Sequence, residues 1–444
     1  MMIEPSNRPN SATRRDFLKT TAAAAGAIVA TQGSLPAVYA AGSDPIKVGL
    51  IGCGNRGRGA AENVLSAAPG VQIVALGDTF AEPLKEARER LGKFTQRKEI
   101  KQRGNSADLP ESRCFVGLDA YEKVIGCPEV NYVILTTPPG FRPIHLQAAV
   151  AAGKNIFAEK PVAVDGTGIR KVLAAYEEAR KKNLAVGVGT QRRHQRAYLE
   201  VLKRIQDGAI GELVGGRCYW NQNTNTKRRA EPGETNLAYQ IRNWYGFPWL
   251  SGDHIVEQHV HNLDVLNWAL GAHPVAAVGM GYRVPRDPGY GPIYNFFAVD
   301  LEYPNGVHAL SMCRQISSCA NEIGEYLVGS KGSSHTNSAG KLIFQINGKK
   351  IYTDKEVRKQ ANPYVQEHTD LIESIRSGKP YNELKQVAES TLTAIMGRMS
   401  AYTGKRVSWE QALNTREDLV PKELTWDTHV PVPPVATPGK TPLL

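Results

Sequence analysis

The chain of 444 residues is 41% hydrophobic and 22% charged, a balance that excludes a disordered or fibrous protein. Its length predicts two or three domains with a core that needs no staples, and its six cysteines (Cys53, Cys114, Cys127, Cys218, Cys313, Cys319), with no CxxC pair, exclude a disulfide scaffold or zinc module. The formal net charge of +11 is spread through short basic runs (Arg97 to Arg103, Lys227 to Arg229, Lys355 to Lys359) without aromatic interleaving. Such runs read as solvated faces with a mild bias toward anionic ligands, not as a nucleic-acid surface.

Residues 11–42 read SATRRDFLKTTAAAAGAIVATQGSLPAVYAAG. A twin arginine precedes an apolar stretch from about Ala22 to Ala30, too short for a membrane-spanning helix, which needs about 20 residues. The pattern predicts a Tat export signal over 1–40 cleaved after Ala40, with the Tat machinery as partner, a periplasmic destination and no stable membrane anchor. Because that route carries folded proteins, a soluble cofactor has to be loaded beforehand, which predicts tight retention. The thiols likewise pass folding in a reducing compartment.

From Ile46 to Thr190, near-continuous apolar runs (IKVGLIG, VQIVALGD, VNYVILTT, NIFAEK, LAVGVGT) alternate with amphipathic helical segments. This is the pattern of a buried, doubly wound parallel sheet with helices on both faces. Beyond Thr190 the texture changes to alternating apolar and polar residues (GELVGGRCYWNQ, NFFAVDLEY, GVHALSMCRQ), the period of an antiparallel sheet with one covered face. Helices are expected at about His254–Leu270 and Tyr364–Tyr402. The fold class is therefore α/β: a nucleotide-binding domain over 46–190, an α+β domain with a mostly antiparallel sheet over 191–429, and a Pro-rich tail over 430–444.

VGLIGCGNRGRG places Gly52, Gly54 and Gly57 in a GxGxxG spacing between strand and helix. The first glycine makes the tight turn, the second lets the backbone approach a pyrophosphate, and the third permits helix to pack on strand. Asn55 and Arg56 lie in the same turn. Asp78 ends the next strand, where a carboxylate takes a ribose hydroxyl and repels a 2′-phosphate. NAD is expected over NADP, with Arg56 and Arg58 blurring the choice.

Three further segments carry candidate chemistry. Lys160, in NIFAEKP after Glu159, ends a strand where ligands gather in open α/β sheets, and it either polarises a substrate hydroxyl or is a surface lysine opening a loop. In SGDHIVEQHVHNLDVLNWALG, a continuous helix would align His254, Glu257, His261 and Asp264 as one polar stripe, with Glu257 orienting His261 and raising its proton affinity. A structural histidine cluster is the alternative. A metal site is not expected, because His259 and His261 point to different faces and HExxH is absent. In GTQRRHQ, Gln191, Arg193 and His194 fall at the domain junction, as ligands for a polyhydroxylated substrate or as an interdomain hydrogen-bond network.

Together VGLIGCGNRG, TTPPGFRPIHLQAAVAAGKNIFAEKPVAVD, GTQRRHQ and EQHVHNLDVLNW resemble the Gfo/Idh/MocA oxidoreductases across nearly the whole chain after the signal. The resemblance implies a Rossmann domain, a sheet domain that forms dimers or tetramers, and NAD(P)-linked chemistry at the CH–OH of a sugar, polyol or inositol. It implies catalysis by Lys160, Glu257 and His261; the expected cofactor contacts extend to Thr137, Pro138, Glu159 and Lys160, and the stripe and junction residues Arg193, His194, His254 and Asp264 are the expected substrate contacts. Two departures reshape the pocket: Glu257 stands where the family commonly has Asp, and His259 where it has a small residue. Redox-neutral, NAD-dependent glycoside cleavage and a non-catalytic sugar or dinucleotide sensor are the competing expectations.

Overall fold

A computed structural model describes residues 45–224, 228, 230–284, 291–337, 342–346, 348–353 and 361–444. The expected export signal and the basic positions Lys227, Arg229, Lys355, Arg358 and Lys359 lie outside the described residues.

The first sheet is parallel throughout. Strands β1 (Ile46–Ile51), β2 (Val71–Asp78), β3 (Ser106–Ala107), β4 (Cys114–Val116), β5 (Tyr132–Leu135), β6 (Asn155–Ala158) and β7 (Val186–Val188) run in the order β3-β2-β1-β5-β6-β7, with β4 also on β2. The connecting helices α1 (Asn55–Ala67), α2 (Ala81–Phe94), α3 (Ala120–Ile125), α4 (Arg142–Ala151) and α5 (Gly166–Lys181) bury Val, Leu, Ile and Ala on the sheet. The strand order reverses between β1 and β5, which opens a crevice beyond their carboxyl ends.

After α6 (Arg196–Gln206), a nine-stranded sheet follows, made of β8 (Leu213–Gln222), β9 (Ala276–Tyr282), β10 (Phe296–Glu302), β11 (His308–Gln315), β12 (Glu322–Gly329), β13 (Gly332–Thr336), β14 (Leu342–Ile346), β15 (Lys349–Thr353) and β16 (Val407–Ser408). Its order is β15-β14-β13-β12-β8-β11-β10-β9-β16, and every pair is antiparallel except β8 with β11. The helix α7 (Asn236–Arg242) lies between β8 and β9 in sequence.

The expected helix over His254–Leu270 is broken into α8 (His254–Glu257) and α9 (Val260–Leu270). At the break His259 N–H reaches back to His254 O and His261 N–H to Gln258 O, so the i−4 ladder is interrupted by a wider and then a tighter turn. The pull is tertiary: His259 Nε2 lies 2.8 Å from Ser311 Oγ on the sheet, while Glu257 turns the other way to Lys160. The stretch expected as one helix over Tyr364–Tyr402 is likewise two, α10 (Pro363–Arg376) and α11 (Leu384–Thr403), parted at Ser377-Gly378-Lys379-Pro380. Helix α10 packs on α1, and Val186 bridges Asn382, so this late segment returns to the first sheet. The tail packs on the surface, with Tyr294 Oη donating to Ala436 O and Thr415 Oγ1 to Leu444 O.

Candidate active site

The loop after β1 has the form that a dinucleotide requires. Gly52 sits at φ +94°, a backbone region that a side chain strains. A Cβ on Gly57 would overlap Gly52 O, whereas one on Gly54 would meet nothing within 4 Å, leaving that face clear for a phosphate. The first turn of α1 holds no side-chain cap and no acidic residue, so its N–H groups point outward with the positive end of the helix dipole. At the end of β2, Asp78 Oδ2 accepts from Cys53 N–H at 2.6 Å and Oδ1 from Phe80 N–H at 2.9 Å. Burial raises its carboxyl above the ordinary value against those hydrogen bonds.

The two arginines that blur cofactor choice are engaged elsewhere. Arg56 Nε bonds Glu159 Oε1 at 2.5 Å and its Nη2 bonds Glu367 Oε1 at 3.3 Å. Arg58 bonds Glu86 Oε2, Asn55 Oδ1 and Cys53 O. Burial and the neighbouring Glu159 carboxylate raise the Glu367 carboxyl well above the ordinary range. The NAD preference thus keeps its basis in Asp78.

From the switch point the crevice continues into a cleft of about 530 Å³ between the two sheets. Lys160 enters from the end of β6, with Nζ donating to Glu257 O at 2.6 Å and to Glu257 Oε1 at 2.9 Å. These bonds use two of the three ammonium donors. His261 also lines the cleft, its ring stacked on Trp220 at 5.7 Å. Burial, then the positive charges of Lys160, Arg192 and Arg56, hold its pKa well below the ordinary value. The imidazole is neutral at physiological pH and can accept a proton.

This corrects the expected Glu257–His261 pair. The break between α8 and α9 removes the i,i+4 geometry, Glu257 is spent on Lys160, and the proton affinity of His261 falls instead of rising. Four of the residues expected to touch substrate also lie outside the cleft lining. His254 is buried beside Phe297 with Nδ1 3.1 Å from Asp253 Oδ1. Arg193 forms a two-pronged pair with Asp264 at 2.8 and 2.9 Å, and Ser390 also donates to Asp264. His194 lies 2.6 Å from Asp370 and 3.4 Å from Glu383. Arg193 and His194 are tied instead into a polar network within the second domain, which reaches the first domain through Glu383, whose Oε2 accepts from Val188 N–H at 2.8 Å.

Of the other expected cofactor contacts, Thr137 and Glu159 line the cleft, Pro138 precedes the turn Pro139–Phe141, and Asn55 opens α1. Gln191, expected at the domain junction as a ligand, does line the cleft, and the lining residues not foreseen from the sequence include Arg142, Trp220, Trp244, Tyr245 and Tyr364. Arg142 is buried, donates to Leu135 O at 2.6 Å, and has its pKa lowered to about 10 by burial. Gln191 follows β7 directly, as its junction position implied; Trp220 lies on β8, Trp244 and Tyr245 in the short turn Trp244–Gly246, and Tyr364 in the first turn of α10, none with a local signature of a cleft.

Fold and cleft define a two-domain dinucleotide-binding protein with a lysine, a carboxylate and a neutral histidine gathered at the sheet's carboxyl end. Two family models agree: "Oxidoreductase family, NAD-binding Rossmann fold" matches residues 46–190 and "Oxidoreductase family, C-terminal alpha/beta domain" matches residues 203–408. The chain belongs to the Gfo/Idh/MocA family of oxidoreductases, and its first domain is the family's NAD-binding domain. It is 26% identical over 226 residues to inositol 2-dehydrogenase of Klebsiella pneumoniae (strain 342), covering 51% of this chain and 54% of that protein. It is 24% identical over 293 residues to scyllo-inositol 2-dehydrogenase (NAD(+)) of Bacillus subtilis (strain 168), covering 65% and 72%. The chain spans about half the length of the first curated relatives it matches. Among solved structures it is similar to the aldose-aldose oxidoreductase from Caulobacter crescentus complexed with glycerol, with a TM-score of 0.64 and 19% identity over 82% of this chain and 99% of that one. The scyllo-inositol dehydrogenase from Lactobacillus casei with bound NAD(H) and scyllo-inositol gives 0.61 and 16% over the same shares. At such identities the likeness is one of fold.

Proposed function

We propose that this protein is an NAD-dependent oxidoreductase that moves a hydride between the nicotinamide and a CH–OH group of a sugar, polyol or cyclitol. The carrying observation is that Lys160, Glu257 and His261 meet in one cleft beside a dinucleotide loop, with Gln191 Oε1, Glu257 Oε2 and His261 Nδ1 buried and unpartnered among the described residues. Buried polar atoms are rarely left without partners, and a ligand rich in hydroxyls supplies them. Trp220, Trp244 and Tyr245 give the same cleft apolar faces for the C–H side of a ring. The names of the relatives favour a cyclitol.

When bound, NAD would supply the hydride acceptor, with the N–H groups at the start of α1 to hold its pyrophosphate and Asp78 to hold its ribose. Lys160, held by Glu257, donates its remaining N–H to the substrate oxygen and stabilises charge developing there. Neutral His261 takes the hydroxyl proton on oxidation and returns it on reduction.

The test mixes NAD-loaded protein with inositols, polyols, aldoses and glycosides and follows reduced-nicotinamide absorbance. A rise with at least one CH–OH substrate is expected, abolished by Lys160→Met while NAD binding persists; near-normal turnover in that variant would overturn the assignment. Sugar release from a glycoside without net reduction would replace this reading with redox-neutral cleavage, and NAD binding with neither response would leave a sensor. We further propose Tat export, on the strength of TRRDFLK before an Ala-rich segment; changing Arg14 and Arg15 to Lys should strand the protein in the cytoplasm. A homo-oligomer is proposed on the apolar outer face of the second sheet.

A further inference from the structure

We propose that the adenosine end of the dinucleotide groove is closed by a clasp in which Arg242 and Trp426, both from outside the Rossmann domain, grip Phe80 and thereby hold NAD in place between turnovers. The inference rests on NAD binding by the first domain and does not depend on which substrate the cleft takes.

The position of Phe80 is fixed by its own backbone. Its N–H donates to Asp78 Oδ1 at 2.9 Å, so its ring begins two residues beyond the carboxylate at the ribose position, on the rim where an adenosine lies. Over that ring stands the Arg242 guanidinium, 3.8 Å from the centroid. The same Arg242 reaches both oxygens of Glu82 at 3.2 Å, and its Nε lies 3.5 Å from Glu234. From the C-terminal segment, the Trp426 ring sits 5.8 Å from Phe80 at 51°. A small apolar seam separate from the two main cores lies beneath: Phe80, Leu118 and Phe141 pack with Leu237, Ile241 and Val430.

The segment bearing Trp426 is pinned on both sides. Leu419 N–H donates to Asp165 Oδ2 at 2.8 Å, which ties it to the start of α5. Val430 accepts from Gln240 Nε2 at 2.6 Å and donates to Asn236 Oδ1 at 2.9 Å, which ties it to α7. Between these pins the chain turns at Thr425–Thr428 and presents Trp426, 38% exposed, to Phe80. Pinned ends with a middle that rests on this seam through Val420, Leu424 and Trp426 describe a strap whose hold can part without unfolding either domain. Its grip on Phe80 is a cation–π contact and a tilted ring contact, both near solvent, which open reversibly. Release of the adenosine end then requires the strap and α7 to part from Phe80, so the clasp acts on the rate of dissociation.

The experiment uses the full chain loaded with NADH, chased with excess NAD, with NADH emission followed under direct excitation. Arg242→Met and Trp426→Ala are compared singly and together, beside the thermal midpoint of each apoprotein. Slow release in the parent and an acceleration of about tenfold or more in the double variant, with an apo midpoint near the parent's, are expected. Release unchanged within about twofold, or acceleration only in step with a falling apo midpoint, would overturn the clasp. So would a parent that exchanges NADH within the mixing time. A protein that retains NADH behind the clasp but reduces no NAD with any polyol would defeat the proposed activity and leave the clasp standing.

Discussion

Lys160 and His261 divide the acid–base work because their surroundings differ. The ammonium of Lys160 is anchored by a carboxylate and a carbonyl of one residue, Glu257, whereas His261 is buried among cations that keep its imidazole neutral. Its pKa lies below the ordinary value of about 6.5, so the proton-accepting form persists as pH falls through that value. His261→Ala should lower kcat by about 10²- to 10⁴-fold, the usual worth of a positioned base, with NADH affinity unchanged. The parent rate profile should show no limb near pH 6.5 from this group. A limb there, or a variant within tenfold of the parent, would remove His261 from the reaction.

At the scale of elements, the glycine loop, Asp78 and Lys160 were legible because strand-turn-helix order alone places them: each sits at a strand's carboxyl end, and a parallel sheet leaves one rim for such ends. The α8–α9 segment was not legible in the same way. A 3.6-residue period aligns His254, Glu257, His261 and Asp264, yet His259 is drawn to Ser311 and Glu257 to Lys160, and those contacts break the ladder that the period assumes. The turn Gln191–His194 has a testable role of its own. His194 is desolvated, which would lower its pKa, but its hydrogen bonds to Asp370 and Glu383 prevail and raise it to about 10. A raised folded pKa means stability that is fully present below the unfolded value of about 6.5 and is lost as pH rises toward 10. Urea unfolding should show His194→Gln clearly destabilised at pH 6, with the gap to the parent shrinking by pH 9. A gap that stays constant or widens would show that packing, not charge, holds this turn.

For the whole molecule, what no local pattern announced is what distance in sequence conceals. Trp220, Tyr245 and Tyr364 reach the cleft only once the second sheet and α10 have folded back over the first domain, and Arg56 finds Glu367 across 311 positions. The same folding back leaves the outer face of the second sheet uncovered. There Met280 is 72% exposed, with Val278 and Tyr282 on its own strand, Phe296 on the neighbouring β10 and Leu310 one strand further on, beyond Asp300. Apolar surface around Met280, Tyr282 and Phe296 is characteristic of an interface, and a two-fold contact would bring each Met280 against the same sheet of a second copy. An arginine at that position would face desolvation twice in a dimer, about 2 kcal/mol or more for each copy, while costing the exposed monomer little. Met280→Arg should therefore shift the mass measured by light scattering toward the monomer at concentrations where the parent associates, with the thermal midpoint of the monomer held. An unchanged mass would put the association surface elsewhere on the molecule.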